Sequence, residues 1–197
     1  MDDLIIDYIS KYISLTGEET EIIKKQNLIR QYKKNEVLLE EGELARECYF
    51  VLSGCVRAYY LIDGEERNTE FYFESQTITP VSYQNKSVSE YYLSCLEDCV
   101  LAVGSDERNK KLVEQIPALS SLISQMAGDL LIQKTIAFDN FRNSSPEERY
   151  LHLLDKNPDL VNRIPLYHLA SYLGITQVSL SRIRKRVSVN HQQHRIY

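Results

Sequence analysis

The segment 166–187, LYHLASYLGITQVSLSRIRKRV, constrains the fold more than any other stretch. Leu169, Leu173, Ile175, Leu180 and Ile183 recur at the spacings by which two helices meet across a tight turn. Ala170 is small where the second helix crosses closely. Gly174 stands where the turn needs a positive φ, which only glycine takes cheaply. Thr176 is placed to cap the second helix. The pattern predicts one helix from near Pro165 to Gly174 and another from near Thr176 to about Val187, a helix-turn-helix.

Charge sets this end of the chain apart. The whole sequence carries a net −5, yet residues 1–144 hold fifteen basic and twenty-four acidic side chains, and residues 145–197 hold eight and four. From Ile164 onward there are five basic groups and no acid. A basic module on an acidic body points to a polyanion partner for that end alone. In a helix-turn-helix the second helix enters the major groove of duplex DNA. With Leu180 and Ile183 turned inward, Gln177, Val178, Ser181, Arg182 and Lys185 face outward. Gln pairs with adenine, Arg with guanine, and Val touches a thymine methyl. Thr176, Ser179, Arg184 and Arg186 are better placed for phosphates.

The rest of the chain reads as helices, then strands, then one long helix. Residues 1–26 are helical, with a capping box at Thr16 and Glu19. Between 27 and 105, short runs rich in Tyr, Val, Leu, Ile and Phe alternate with turn residues. They are 48–52, 56–62, 68–73, 91–96 and 100–103, and Asp63-Gly64 is a two-residue hairpin signal. Such spacing predicts an antiparallel barrel or jelly roll. Pro117 opens a helix of about 25 residues, roughly 37 Å long. Leu119, Ile123, Met126, Leu130, Gln133, Ala137 and Phe141 form a four-three seam on it. Leu122, Leu131, Ile132 and Phe138 make other faces apolar too, so both sides need cover. One side fits the barrel; the other fits a second subunit, with Leu119, Ile123, Met126, Leu130 and Ala137 at the interface. Residues 143–145 break this helix. Ser145, Pro146 and Glu148 start the next, again as a capping box.

The pattern of the whole chain resembles the cyclic-AMP-receptor/Fnr (Crp/Fnr) family of bacterial transcription regulators. The resemblance rests on 48–57 (CYFVLSGCVR), 169–176 (LASYLGIT) and 180–184 (LSRIR), and it covers roughly residues 20–187. It implies an α+β fold. Residues 1–116 would form a cyclic-nucleotide-binding-type antiparallel β-roll, 117–142 a dimerisation helix, and 145–197 a winged helix-turn-helix. It also implies a homodimer on duplex DNA with two half-sites, and RNA polymerase as a further partner.

The sequence departs from the family where an effector would bind. Members that take cyclic nucleotide have a Gly-Glu pair and then an Arg-Ser/Thr pair gripping ribose and phosphate. Ile78-Thr79 and Ser89-Glu90 stand at those places here, so an anion would meet a carboxylate instead of a guanidinium. The first cysteine, Cys48, lies in the roll, so the N-terminal cysteine group of an iron–sulfur sensor is missing. All four histidines (His152, His168, His191, His194) follow residue 151, which leaves no haem ligand in the sensor. Some members build a wing from strands at this point, and the tail after Val187 lacks their pattern. No cofactor or metal is expected, cyclic AMP is not expected to bind, and the effector is unknown.

Other classes fare worse. A cupin-type enzyme needs histidines on its barrel strands to hold a metal. No Gly-x-Ser-x-Gly or phosphate-cradling loop supports a hydrolase, so the chain is read as non-enzymatic. No apolar run reaches membrane-spanning length. The acidic start is unlike a signal peptide, and four cysteines without an export signal read as reduced thiols; both point to the cytoplasm. One alternative stays open: a nucleotide-binding-like regulatory module that acts mainly through protein–protein contacts.

Overall fold

The computed structural model describes residues 3–156 and 158–193. Packing divides the chain into two compact units, residues 1–60 with 70–130 and residues 61–69 with 131–197. The long helix and one strand hairpin pass from the first to the second.

The first unit is built on eight short strands: β1 (Ile29–Tyr32), β2 (Val37–Leu39), β3 (Cys48–Ser53), β4 (Val56–Ile62), β5 (Glu65–Tyr72), β6 (Thr77–Ile78), β7 (Tyr92–Cys95) and β8 (Cys99–Gly104). They form two four-stranded sheets, in the orders β1-β8-β3-β6 and β2-β7-β4-β5. Their pairing is antiparallel, with Tyr49 opposite Val103 in one sheet and Ala58 opposite Leu93 in the other. Alternation turns Val51, Val56, Ala58, Leu93, Leu101 and Val103 into a shared core between the sheets. Gly54 lets the chain turn from β3 into β4. Its φ is +101°, and a Cβ there would lie 2.7 Å from the Asp98 carbonyl oxygen. The β4–β5 hairpin turns on Asp63 and Gly64, both at positive φ, as a two-residue loop with primed geometry requires.

Four helices serve this roll. The first three are α1 (Asp3–Ile9), α2 (Gly17–Lys25) and α4 (Asp106–Gln115). With the start of α5 (Ala118–Asn143) they gather Ile5, Ile9, Ile23, Leu112, Ile116, Leu119 and Leu122 into a second core. That core also takes Phe50, Leu52 and Ala102 from the outer face of β3 and β8. The α2 capping box forms as read: Thr16 N–H donates to the Glu19 carboxylate at 2.8 Å, and Glu19 N–H to Thr16 Oγ1 at 3.2 Å. A short helix, α3 (Val81–Asn85), follows β6. The sequence reading lacked β1, β2 and β6, each four residues or fewer, as well as α3, α4 and the short helix Pro158–Arg163. Strands this short carry too few alternations to register as periodic.

The second unit holds α6 (Pro146–Lys156), α7 (Pro158–Arg163), α8 (Leu166–Leu173) and α9 (Gln177–Gln193), together with the tip of the β4–β5 hairpin. Its core is Tyr150, Val161, Ile164, Leu169, Ala170, Leu173, Leu180, Ile183 and Val187, all buried. Gly174 takes φ +71° and closes α8, its N–H donating to the Ser171 carbonyl. Among the described residues no strand follows β8, so the wing of the expected winged form is not seen there. Nothing in Val187-Ser188-Val189-Asn190 breaks a helix, and α9 runs on past Val187 to Gln193. The roll keeps the first half of α5, and the hairpin tip joins the C-terminal helices.

Candidate nucleic-acid interface

The second helix of the motif begins where Thr176 predicts. Thr176 Oγ1 accepts from Ser179 N–H at 3.2 Å, which satisfies one of the free donors of the first turn. Leu180 is completely buried, and Ile183 and Val187 nearly so. These three anchor one side of α9 against α8, where Ala170 leaves room for the crossing. At 3.6 residues per turn, Gln177, Val178, Ser181, Arg182 and Lys185 fall within an arc of about 140° on the opposite side. All five are exposed, and Val178 is an apolar side chain 61% open to solvent. Arg184 flanks the arc on one side, and Ser179 and Arg186 flank it on the other. Thr176, Arg184 and Arg186 are exposed and Ser179 is half-buried. The structure thus places eight of the nine sequence-assigned residues on one helix and Thr176 at its cap, with the base-edge candidates central and most of the phosphate candidates at the margins.

The platform behind this helix is held by polar contacts that sequence reading did not find. Ser171, on α8, accepts from Asn68 N–H at 3.0 Å and donates to the Glu66 carbonyl at 3.0 Å. Asn68 Nδ2 lies 3.2 Å from His168 Nδ1, and both residues are buried. The hairpin tip therefore grips α8 through backbone and side chain together. The partners are about a hundred residues apart in sequence, and no local pattern announces such a contact. Next to α9, Ser145 and Glu148 complete the expected capping box on α6. Ser145 N–H donates to the Glu148 carboxylate at 2.7 Å, and Glu148 N–H to Ser145 Oγ at 3.3 Å. The backbone N–H holds that carboxyl below its usual range.

The long helix sorts the candidate interface residues. Leu119 is buried in the roll's own second core, and Met126 is half-buried against it. Leu130 is half-buried, Ile123 is half-exposed and Ala137 is exposed. The open apolar surface runs through Ile123, Leu131, Phe138 and Phe141, which share an arc of about 80° at helical periodicity. Ile132 and Ile136 lie open on another side.

The roll does not present the anion clamp its fold would lead one to look for. Ile78 is buried among core side chains. Ser89, at the position where the sequence reading expects the clamp arginine, is also buried. Its Oγ donates to the Tyr91 carbonyl at 2.7 Å, its N–H donates to the Glu43 carbonyl at 2.7 Å, and its carbonyl accepts from Gly42 N–H at 2.8 Å. The Tyr91 hydroxyl accepts from Val81 N–H at 3.2 Å, at the start of α3. Burial raises the pKa of that phenol, which keeps it neutral. Arg57 sits on the face of β4 opposite the core residues Val56 and Ala58. Its Nε donates to Ser94 Oγ at 3.1 Å, and its guanidinium lies 3.9 Å from the Tyr59 ring centre. An open groove of about 450 Å³ beside β2 is lined by Leu38, Leu44 and Pro80, with Glu43, Glu47 and Arg46 on it. Two carboxylates to one guanidinium do not suit an anionic ligand. The residues present do not fit a cyclic nucleotide.

Among the described residues no group of three or more His, Cys, Asp or Glu side chains could hold a metal ion. No disulfide links the four cysteines. No helix among the described residues is long and apolar enough to cross a membrane.

Residues 29–115 match the family model of the cyclic nucleotide-binding domain. No curated protein matches the chain. Solved structures match its fold. FixK2 from Bradyrhizobium japonicum is 17% identical, with 83% of this chain and 85% of that one covered and a TM-score of 0.68. A mutant of CooA from Carboxydothermus hydrogenoformans is 15% identical over 91% and 82% of the two chains, with a TM-score of 0.67. CLP of Xanthomonas campestris, a c-di-GMP-responsive global regulator, is 20% identical over 83% and 87%, with a TM-score of 0.60. The chain has the α+β fold of the Crp/Fnr regulators: a cyclic-nucleotide-binding-type roll, a long helix and a C-terminal helical unit.

Proposed function

We propose that this protein is a DNA-binding transcription regulator that works as a homodimer and reads duplex DNA with α9. The observation that carries this reading is the exposed arc of Gln177, Val178, Ser181, Arg182 and Lys185 on a helix whose other side is locked into a core by Leu180, Ile183 and Val187. Its side chains are the types that read base edges, and cations flank them where a phosphate backbone would pass. A second copy of the chain is the natural cover for Ile123, Leu131, Phe138 and Phe141 on α5. Two copies would present two recognition helices to two half-sites about one helical turn apart, roughly 10 bp centre to centre. RNA polymerase is a further partner that the resemblance suggests. In this reading the roll does not answer to cyclic AMP, because Ser89 and Tyr91 use their polar groups on neighbouring backbone and supply no cation.

Arg182→Ala tests the assignment within α9. Titration of duplexes that differ at single base pairs should show a loss of about 1–3 kcal/mol on preferred sites and a relaxed preference at one position. Arg184→Ala should weaken every duplex alike and lower the salt dependence by about one phosphate contact. Identical profiles for the two variants across all duplexes would refute the division between base and phosphate contacts.

A further inference from the structure

Beside the recognition helix, the second unit has a groove of about 970 Å³ between the start of α6 and α9, lined by Ser145, Glu147, Ser179, Arg182, Lys185 and Arg186. Three cations and two hydroxyls make it suited to an anion, yet a carboxylate already stands in it. Glu147 Oε2 lies 2.6 Å from Arg186 Nη2, with Glu147 about one-third exposed and Arg186 about two-thirds exposed. Glu148, the next residue, is occupied elsewhere, since its carboxylate accepts from Ser145 N–H at 2.7 Å. Glu147 is thus the acid positioned to engage a recognition-helix cation.

We propose that Glu147 is an internal stand-in for a DNA phosphate: it holds Arg186 in the free protein, and duplex binding proceeds by exchanging this carboxylate for a backbone phosphate. The inference rests on the function proposed above and adds a regulating residue to it. An exposed ion pair is weak, whereas a phosphate contact gains from the release of condensed counterions, so the exchange runs toward DNA. It is nonetheless incomplete compensation. The pair is broken, and the freed carboxylate is left facing a polyanion. Because every phosphate is alike, the penalty falls on all sequences equally. Glu147 therefore sets the overall affinity and its salt dependence while leaving base preference untouched.

The test is a double-mutant cycle in the full-length protein, with Glu147→Gln, Arg186→Ala and the double variant, read by fluorescence anisotropy on labelled duplexes over a salt series. Glu147→Gln should tighten binding to every duplex by roughly threefold to tenfold. It should also steepen the log-log salt slope by up to about 0.9, because no freed carboxylate then takes up a cation to offset the one released from the phosphate that Arg186 contacts. In the Arg186→Ala background the same change should move affinity by less than about twofold. Unchanged or weaker binding by Glu147→Gln overturns the proposal. So does equal tightening with and without Arg186, which would reduce Glu147 to a bulk negative charge. If the wild type binds no duplex at all, the proposed function falls and this inference with it; if the wild type binds and either overturning result appears, only the inference falls.

Discussion

At the residue scale, the polar side chains that shape this molecule act mostly by satisfying backbone. Thr16, Ser145 and Thr176 each occupy the position before a helix and accept from the N–H three residues on. In the first two cases a glutamate reaches back, and the hydrogen bond from backbone N–H to Glu148 depresses its pKa, as it does for Glu19. The sign of the pH effect follows. A carboxyl with a depressed folded pKa contributes stability that is full above its unfolded value and is lost as pH falls through the folded one. Glutamine at either position keeps a hydrogen-bonding cap and removes the titration. Stability of Glu19→Gln/Glu148→Gln, read as the urea midpoint, should therefore fall less than that of the wild type between neutral pH and pH values below the ordinary carboxylate range, about 4.3 for glutamate. Parallel pH profiles for the two proteins would show that these caps do not titrate with folding. All three caps are legible in sequence because each is a local pattern within four residues. Ser171, His168 and Asn68 are not, because their partnership joins a strand hairpin to a helix far along the chain, and only the fold brings them within 3.2 Å.

At the element scale, α5 shows how far periodicity carries and where it stops. The four-three spacing locates the helix, which runs from Ala118 to Asn143 with apolar side chains both buried and exposed on it. What spacing cannot assign is which apolar side faces which neighbour, since α5 carries Leu, Ile and Phe on more than one of its sides. Leu119 and Leu122 are taken by Ile116, Leu112 and the helices near the N-terminus, which shifts the open seam to Ile123, Leu131, Phe138 and Phe141. Two kinds of substitution separate these roles. Ile123→Glu with Phe138→Glu should give a monomer by light scattering at roughly 10 μM, because like charges would meet across the seam. Leu119→Ala should leave the oligomeric state alone and cost about 2–5 kcal/mol of stability. A monomeric wild type, or a dimer that survives both glutamates, would remove α5 from the interface. Helix α9 was more legible than α5 for a simple reason. Leu180 and Ile183 fall on one side with Val187, opposite a mostly polar arc in which Val178 is the one apolar residue, so the sequence names the buried side of α9.

At the scale of the whole molecule, the chain joins a roll of the cyclic-nucleotide-binding type to a C-terminal helical unit that carries the exposed arc of α9. In the proposed reading the roll supplies no cation at Ser89-Glu90, where Ser89 is buried and bonded to neighbouring backbone, and isothermal calorimetry with cyclic AMP at about millimolar concentration should show no saturable binding. A dissociation constant below about 10 μM, roughly −7 kcal/mol, would mean that the roll builds a clamp from other residues. The helical unit keeps its exposed arc and its cations, and there the central claim can be met head-on. Duplexes carrying a long random segment can be selected for binding to the wild-type protein, and the retained population sequenced. The account expects enrichment of a motif made of two related half-sites about 10 bp apart, centre to centre, and loss of that enrichment with Arg182→Ala and Gln177→Ala together. A retained population indistinguishable from the starting pool, or enrichment that persists unchanged in the double variant, would contradict it.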